Sequence, residues 1–308
     1  MAATRSSNPI LSEEHPLAGN RIARVVYEVK DLKAARDFYV KLLGFHVIET
    51  KANNGQKRLR LVYPKGSLHL SDATPSNLHH FTSVELLENK NYQTPENAHD
   101  FLGLGIHLNT IQFLNTSEIA LSQAGGSLFN PVTERRVNPS IYPDENAKDE
   151  KKQTNAFLFD ADGYGLEFVK ESVNDALHRI RFFTTSLKES TFFYEKVLGM
   201  KLIRHQSNLA EVSYPWDRLA GMSKYFAYSE KEDEATLLQV AYGYDEDKLI
   251  RKSGFHSLVV ETKNLQKAAD FIQQQQWEVV PVSSEETEPF IQVKDPDGWT
   301  IRLIEANY

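Results

Sequence analysis

The chain contains no cysteine among its 308 residues, which excludes a disulfide framework and any chemistry that depends on a thiol. No apolar run approaches the ~18 residues that a membrane span requires. The formal net charge is −7, and no basic cluster of the kind that binds nucleic acid stands out. We therefore predict a cytoplasmic protein that acts on a small molecule, without nucleic-acid or membrane partners, as a monomer or homodimer.

The first residues differ in composition from the rest of the chain. Met1–Asn20 contain serine, proline and the acidic pair Glu13-Glu14, and they lack the apolar centre of a secretory signal. One arginine among these acids also argues against a transit peptide. We predict that residues 1–20 form a disordered leader.

One stretch of sequence occurs twice. The first copy, Asp31 to Ile48, is DLKAARDFYVKLLGFHVI, and the second, Ser186 to Ile203, is SLKESTFFYEKVLGMKLI. Apolar residues at helical spacing predict a short amphipathic helix in each copy, followed by a glycine that ends the helix and by a strand. A repeat of this length predicts a duplicated domain rather than a solenoid.

The strand-like runs and turns around these helices predict an α+β protein built from four β-α-β-β-β units. The strands expected in the first unit are 21–30, 46–50, 58–63 and 67–71, followed by a linker over 72–100. In the third unit they are 177–183, 201–205, 209–214 and 236–242, with a loop over 215–234. Asp162-Gly163 and Asp297-Gly298 are equivalent hairpin turns in the second and fourth units.

We predict that the units pair in chain order into two domains. The first domain would cover residues 21–170, with a polar surface insertion at about 130–152, and the second would cover 177–306. An exchanged arrangement, in which the second and third units share a cleft, stays open at this point.

The repeated Phe-Tyr-x₃-Leu-Gly motif, together with Asp295-Pro296-Asp297-Gly298-Trp299 before the last strand, resembles the vicinal oxygen chelate superfamily in its fused, glyoxalase I-like form. That family includes glyoxalase I, extradiol dioxygenases and bleomycin- or fosfomycin-resistance proteins. The resemblance implies that two units form a curved open barrel around a divalent metal such as Zn, Ni or Fe. The ligands would come from the first and fourth strands of the units, and the metal would act as a Lewis acid on a bound carbonyl.

The ligand positions that the resemblance implies are occupied unevenly. They fall on Arg24 and His69 in the first unit, His107 and Glu167 in the second, Arg179 and Gln239 in the third, and His256 and Arg302 in the fourth. A guanidinium group does not coordinate a metal, so no pairing of units supplies four ligands.

Two incomplete ligand sets remain. If the first two units close a cleft, His69, His107 and Glu167 would form a two-histidine, one-carboxylate triad of the kind that suits Fe(II). If the second and third units share a cleft, Gln239 would take the place of His69. Glu167 is also the candidate catalytic base, unless it forms an ion pair with Arg24 or Arg179 without any metal.

These residues support two functional hypotheses. The first is a metal-dependent, glyoxalase I-like lyase or isomerase acting on a small oxygenated substrate, with an extradiol-type dioxygenase as a variant. The second is a metal-free binding or sequestering protein for a small anionic ligand, which Arg24 and Arg179 would hold bidentately. His256 is a weaker candidate ligand because no acidic residue accompanies it.

Overall fold

The computed structural model describes residues 15–53, 56–63, 81–93, 101–111, 114, 118–137, 151–171, 173, 175–207, 220–243, 249, 254–282 and 289–306. The described strands form two eight-stranded mixed sheets, and short helices join them. This architecture confirms the predicted α+β class and the four β-α-β-β-β units.

The first sheet has the strand order β14-β15-β16-β13-β1-β4-β3-β2 and combines the first and fourth units. Its strands are β1 Arg21–Val29, β2 His46–Asn53, β3 Gln56–Val62, β4 Ser83–Glu88, β13 Phe255–Thr262, β14 Val280–Val282, β15 Phe290–Lys294 and β16 Thr300–Glu305. The antiparallel pair β1 and β13 joins the two units at its centre.

The second sheet has the order β10-β11-β12-β9-β5-β8-β7-β6 and combines the third and second units. Its strands are β5 Phe101–Leu108, β6 Ser127–Val137, β7 Lys151–Phe159, β8 Gly165–Lys170, β9 Leu177–Thr184, β10 Lys201–Ser207, β11 Ala220–Ala227 and β12 Leu237–Gly243. The predicted pairing in chain order is therefore wrong, and the exchanged arrangement is present. Each sheet draws strands from both halves of the chain, so the sheets do not follow the predicted boundaries at residues 170 and 177.

The repeated motif forms a helix in both copies. Helix α1, Leu32–Arg36, continues as a π-helical turn over Asp37–Leu42, and α3, Leu187–Phe192, continues as one over Phe193–Val197. The glycines that end these helices, Gly44 and Gly199, have φ of +82° and +69°, a conformation that glycine adopts without a steric penalty. The other described α-helices are α2, Glu118–Gln123, and α4, Leu265–Gln274.

The tyrosine of each repeated motif connects its helix to an aspartate-glycine turn in the next unit. The Tyr39 hydroxyl donates to Asp160 Oδ2 at 2.7 Å, and the Tyr194 hydroxyl donates to Asp295 Oδ2 at 2.8 Å. All four side chains are buried. The first and second units, and likewise the third and fourth, thus meet through a helix and a turn, whereas the sheets join the first unit to the fourth and the second unit to the third.

Two strands lie where the sequence predicted connections. Strand β4 falls inside the predicted linker 72–100, and β11 falls inside the predicted loop 215–234. The strands predicted at 67–71 and 209–214 lie outside the described residues. The insertion expected at about 130–152 is partly a hairpin, because β6 extends to Val137 and pairs there with Lys151 at the start of β7.

The expected leader also needs a correction. Residues 15–20 pack against the protein: Leu17 is only 1% exposed, and His15 Nε2 lies 3.0 Å from the Lys196 carbonyl oxygen. The His15 ring also makes an edge contact with Phe271. Residues 1–14 lie outside the described part of the chain.

No α-helix within the described ranges combines the length and the apolar character that a membrane span needs.

Candidate functional site

The register of the two sheets identifies equivalent positions. Arg24 pairs with Val259, which pairs with Arg302, and Arg179 pairs with Gly105, which pairs with Glu167. Glu85 pairs with Val26, and Gln239 pairs with Arg181. We define the first site as Arg24, Glu85, Ser257 and Arg302, and the second site as the equivalent residues Arg179, Gln239, Gly103 and Glu167.

The first site is built around Glu85, which sequence reasoning missed. Its Oε2 accepts a hydrogen bond from Arg24 Nη1 at 2.9 Å, and its Oε1 lies 3.6 Å from Arg58 Nη1. Burial alone would raise the pKa of Glu85, but Arg24, Arg58 and Arg60 together lower it below its usual value. Glu85 is therefore ionised and acts as an internal counterion for a group of arginines.

Glu85 had a signal in the sequence. The offset that relates Phe38 to Phe193 carries Gln239 back to within one residue of Glu85. The alternating pattern Ser83-Val84-Glu85-Leu86 also fits a strand with one polar face. The predicted ligand at this position, His69, lies outside the described residues.

The second site is closed to solvent. Glu167 is 0% exposed, and its Oε2 lies 3.2 Å from Arg179 Nη2 and 4.0 Å from Arg181 Nη1. Arg181 Nε also donates to Gln239 Oε1 at 3.1 Å, and Gln239 Nε2 donates to Ser223 Oγ. Glu167 thus forms a buried ion pair with Arg179, as one of the alternatives from the sequence anticipated.

Glycine occupies the first-strand positions of the second unit. Gly103 has φ +97°, and a Cβ there would lie 1.8 Å from the Gly165 carbonyl oxygen. A Cβ on Gly105 would lie 2.8 Å from the Cβ of Arg179. No ligating side chain fits at either position, because the neighbouring strand and Arg179 fill the space.

His107 lies two residues beyond Gly105, at the edge of the second site. Its Nε2 accepts a hydrogen bond from Arg179 Nε at 3.1 Å, and its Nδ1 lies 2.9 Å from Glu171 Oε2. Burial, followed by the charge of Arg179, lowers the pKa of His107 to about 4, although Glu171 opposes the shift. Both ring nitrogens of this neutral histidine are already engaged in contacts within the protein.

His256 lies beside the first site, next to Ser257 in sequence, and follows the same pattern as His107. It is half-buried, and its Nδ1 lies 3.3 Å from Ser257 Oγ. Burial, followed by the charge of Arg302, lowers its pKa to about 4. It is therefore neutral at pH 7, and the charges of Arg302, Glu85 and Arg58 all act on it.

The donor sets in the two sites do not fit a divalent metal. Arginine occupies two of the four positions of the first site, and arginine and glycine occupy two of the second. Glu167, the carboxylate of the second site, faces two guanidinium groups that would repel a cation. Within the described residues, no group of three or more His, Cys, Asp or Glu side chains has an arrangement that could hold a metal. The set His69, His107 and Glu167 remains a prediction, since it includes a residue outside the described ranges.

The sequence profile of the Glyoxalase/Bleomycin resistance protein/Dioxygenase superfamily matches residues 21–111 and 176–303. The chain is 22% identical to lactoylglutathione lyase GLX1 of Arabidopsis thaliana over 303 residues, which cover 95% of this chain and 94% of that protein. A lactoylglutathione lyase of Escherichia coli O157:H7 is 32% identical over 123 residues, covering 39% of this chain and 84% of that protein.

Solved structures with the same fold extend over most of the chain. Glyoxalase I from Zea mays superimposes with a TM-score of 0.69 at 20% identity, covering 93% of this chain and 92% of that chain. A putative dioxygenase from Bacillus subtilis superimposes with a TM-score of 0.61 at 10% identity, covering 92% of this chain and 84% of that chain. At these identities the superpositions establish the fold, and the residues of the two sites carry the argument about function.

Proposed function

Because the chain belongs to the Glyoxalase/Bleomycin resistance protein/Dioxygenase superfamily, we propose that it is a glyoxalase I-like protein that binds a small anionic molecule at the first site. The observation that carries this proposal is the contact between Arg24 and Glu85. Arg24 stands where the family resemblance places a metal ligand, and its guanidinium group already holds a carboxylate at 2.9 Å.

Exposure favours the first site over the second as the binding site. The side chains of Arg24 and Arg58 are 12% and 24% exposed, whereas those of Arg179 and Arg181 are 3% and 0% exposed. A ligand carboxylate or phosphate therefore reaches the first pair without opening the sheet. The planar guanidinium fork matches both kinds of anion bidentately.

Isothermal titration calorimetry with inorganic phosphate as the probe tests the proposal. The Arg24→Gln variant should lose at least tenfold in affinity, because it removes one charged fork from the site. Arg21→Gln is the matched control: Arg21 lies on the same strand, but its Nε contacts Glu261 at 2.7 Å, outside the site. An equal loss in both variants, or no binding by the wild-type protein, would sink the proposal.

Lactoylglutathione lyase activity is a second candidate, favoured by the relative from Arabidopsis thaliana that aligns over 95% of this chain. The donor sets of both sites argue against a metal-dependent form of this activity, and Glu167 is the carboxylate that would have to act as its base. Formation of lactoylglutathione from methylglyoxal and glutathione should be measured with and without added Zn²⁺ or Ni²⁺, for the wild type and Glu167→Gln. Metal-stimulated turnover that the variant loses would establish the activity, and turnover equal in both proteins would remove Glu167 from it.

The cytoplasmic location and the choice between monomer and homodimer stay predictions. Light scattering coupled to size-exclusion chromatography measures the mass directly. The chain mass of 35.1 kDa makes the two states easy to separate.

A further inference from the structure

A pocket of about 360 Å³ lies where the two sheets meet. Ile22 and Thr82 line it from the first sheet, and Asp175 and Thr236, which precede β9 and β12, line it from the second. None of its described lining residues belongs to the first or the second site. Pockets of roughly 300–1,000 Å³ are typical of small-molecule sites. We call this space the inter-sheet pocket.

Hydrogen bonds between the two sheets border the inter-sheet pocket. The Thr82 backbone N–H donates to Asp175 Oδ2 at 2.5 Å, and the hydroxyl oxygens of Thr82 and Thr236 lie 2.7 Å apart. Each of these three residues is 9% exposed or less. The polar groups beside the pocket are therefore held in place before any ligand binds, which lowers the entropic cost of binding.

The repeat makes Asn20 the equivalent of Asp175, and both residues line the pocket. Asp175 uses both carboxylate oxygens within the protein, because Oδ1 accepts from the Leu177 N–H at 3.1 Å and Oδ2 accepts from Thr82. Asn20 is only 6% exposed, yet its Nδ2 has no hydrogen-bond partner in the part of the chain that the structure describes. A buried donor of this kind is destabilising unless water or a ligand supplies an acceptor.

The pocket also has aromatic lining residues, Phe81 from the first sheet and Tyr228 from the second. The Tyr228 hydroxyl is buried and likewise has no hydrogen-bond partner among the described residues. Burial raises the pKa of Tyr228, and the Asn20 side chain partly opposes this rise, so the two groups interact without reaching hydrogen-bond geometry. The pocket thus offers a face for a flat ring beside polar groups that lack partners.

Asp175 makes the pocket unfavourable for an anion. Burial raises the pKa of its carboxyl to about 6, although hydrogen bonds from Thr82 and Leu177 and the charge of Arg21 oppose the rise. The carboxylate is therefore ionised at pH 7.5. A second negative charge placed beside it would be repelled, whereas an N–H group would be accepted.

We propose that the inter-sheet pocket is a second ligand site, for a small neutral molecule that carries an amide-type group on an aromatic ring. The carbonyl oxygen of such a ligand accepts a hydrogen bond from Asn20, and its N–H is a donor for the carboxylate of Asp175 or the hydroxyl of Tyr228. The ring packs against Phe81. This site is separate from the anion-binding function proposed for the first site.

Benzamide and benzoate are the probes, because they share a ring and differ in the charge and donors of the polar group. Both are titrated against the full chain at pH 7.5 and followed by NMR. We expect benzamide to bind at least tenfold more tightly than benzoate, and excess inorganic phosphate to leave benzamide affinity unchanged. Equal affinities, tighter binding of benzoate, displacement by phosphate or no binding of benzamide would each overturn the proposal.

Substitutions locate the binding within the pocket. Asn20→Ala should lose at least fivefold in benzamide affinity, because it removes the unused donor. Asn89→Ala is the matched control, since the Asn89 amide donates to Glu28 at 2.7 Å outside the pocket, and it should bind benzamide as the wild type does. Wild-type affinity in Asn20→Ala would refute the assignment.

Phe81→Leu tests the ring contact independently, in case Asn20→Ala does not fold. It keeps an apolar side chain at a half-buried position and should weaken benzamide binding at least threefold. Circular dichroism verifies that each variant is folded. Unchanged benzamide affinity in Phe81→Leu would place the ring elsewhere and contradict the proposed site.

Discussion

The two sites occupy the same positions of a duplicated scaffold, yet one is a half-open group of arginines and the other is a sealed polar core. Each has an arginine at the first-strand position, Arg24 or Arg179. The carboxylate that pairs with it comes from a different place: Glu85 lies on the fourth strand of the same unit, whereas Glu167 lies on the last strand of the partner unit. The two halves thus share the arginine and differ in where its counterion lies.

The two sites also differ in how deeply their charged side chains are buried. In the second site Glu167 and Arg181 are fully buried and Arg179 is nearly so, and burying charges of this kind costs free energy that only close pairing offsets. In the first site the corresponding arginine keeps contact with solvent. We therefore expect the second site to act only within the fold, and the first to be the site that a ligand can reach.

The largest expected effect comes from removing the two carboxylates. Glu167→Ala leaves two buried guanidinium groups without their counterion and should lower the free energy of unfolding by about 3–5 kcal/mol. Glu85→Ala should cost about 1–2 kcal/mol, because its partners reach solvent. Urea unfolding of both variants measures the difference. Equal losses would mean that the two sites do not differ in the way their burial indicates.

The first-strand positions give the next test. Gly103→Ala forces a side chain into the Gly165 carbonyl oxygen at a φ of +97°, and we expect a cost of about 3 kcal/mol or more. Ser257→Ala at the equivalent position of the first site should cost only about 1 kcal/mol. Thermal unfolding compares them. A Gly103→Ala protein as stable as Ser257→Ala would contradict the close approach of β5 to β8.

The sequence predicted the features that depend on local pattern. Helical periodicity located α1 and α3, the constant repeat offset placed Arg24 and Arg179 at one equivalent position, and glycine turns marked the hairpins. These predictions succeeded because each depends on a few neighbouring residues, whose conformational preferences the surrounding structure reinforces.

Local sequence patterns could not predict which distant units pair in a sheet. Consecutive units usually lie side by side, and no local residue records that β1 pairs with β13 instead. Strand β4 was missed because it follows a long polar connection, and Glu85 was lost with it. His107 was assigned four residues away from Gly103, the first-strand position of the second site, because its register rested on the spacing to Gly126.

A third test concerns a feature that both halves of the chain share, the helix–turn contacts at Asp160 and Asp295. Burial raises the pKa of both carboxyls from 3.8 to about 7. Between about pH 4 and 7 these two carboxyls therefore bind more protons in the folded state than in the unfolded state. Their contribution to the free energy of unfolding falls as pH rises through this range. His107, whose pKa is lowered to about 4, acts in the opposite direction between pH 4 and 6.5.

The Asp295→Asn variant isolates one carboxyl from this balance. Between pH 5 and 7.5 the free energy of unfolding of the wild type should fall as Asp295 loses its proton. In Asp295→Asn this fall should be about 2 kcal/mol smaller, because the asparagine has no proton to lose. Urea titrations at several pH values measure both slopes, with Asp270→Asn, at an exposed position of α4, as the control. Identical slopes in the wild type and Asp295→Asn would show that Asp295 does not titrate in this range.

The smallest expected effect is a difference in stability between variants of the two helix–turn contacts. Tyr39 lies between Asp160 and the Tyr27 hydroxyl, 2.7 Å from each, whereas Tyr194 donates to Asp295. Tyr194→Phe removes one buried hydrogen bond and should cost about 1 kcal/mol. Tyr39→Phe also takes a partner from Tyr27 and should cost about 1.5–2 kcal/mol. Chemical denaturation resolves a difference of this size, and a larger loss in Tyr194→Phe would reverse the order that the hydrogen bonds imply.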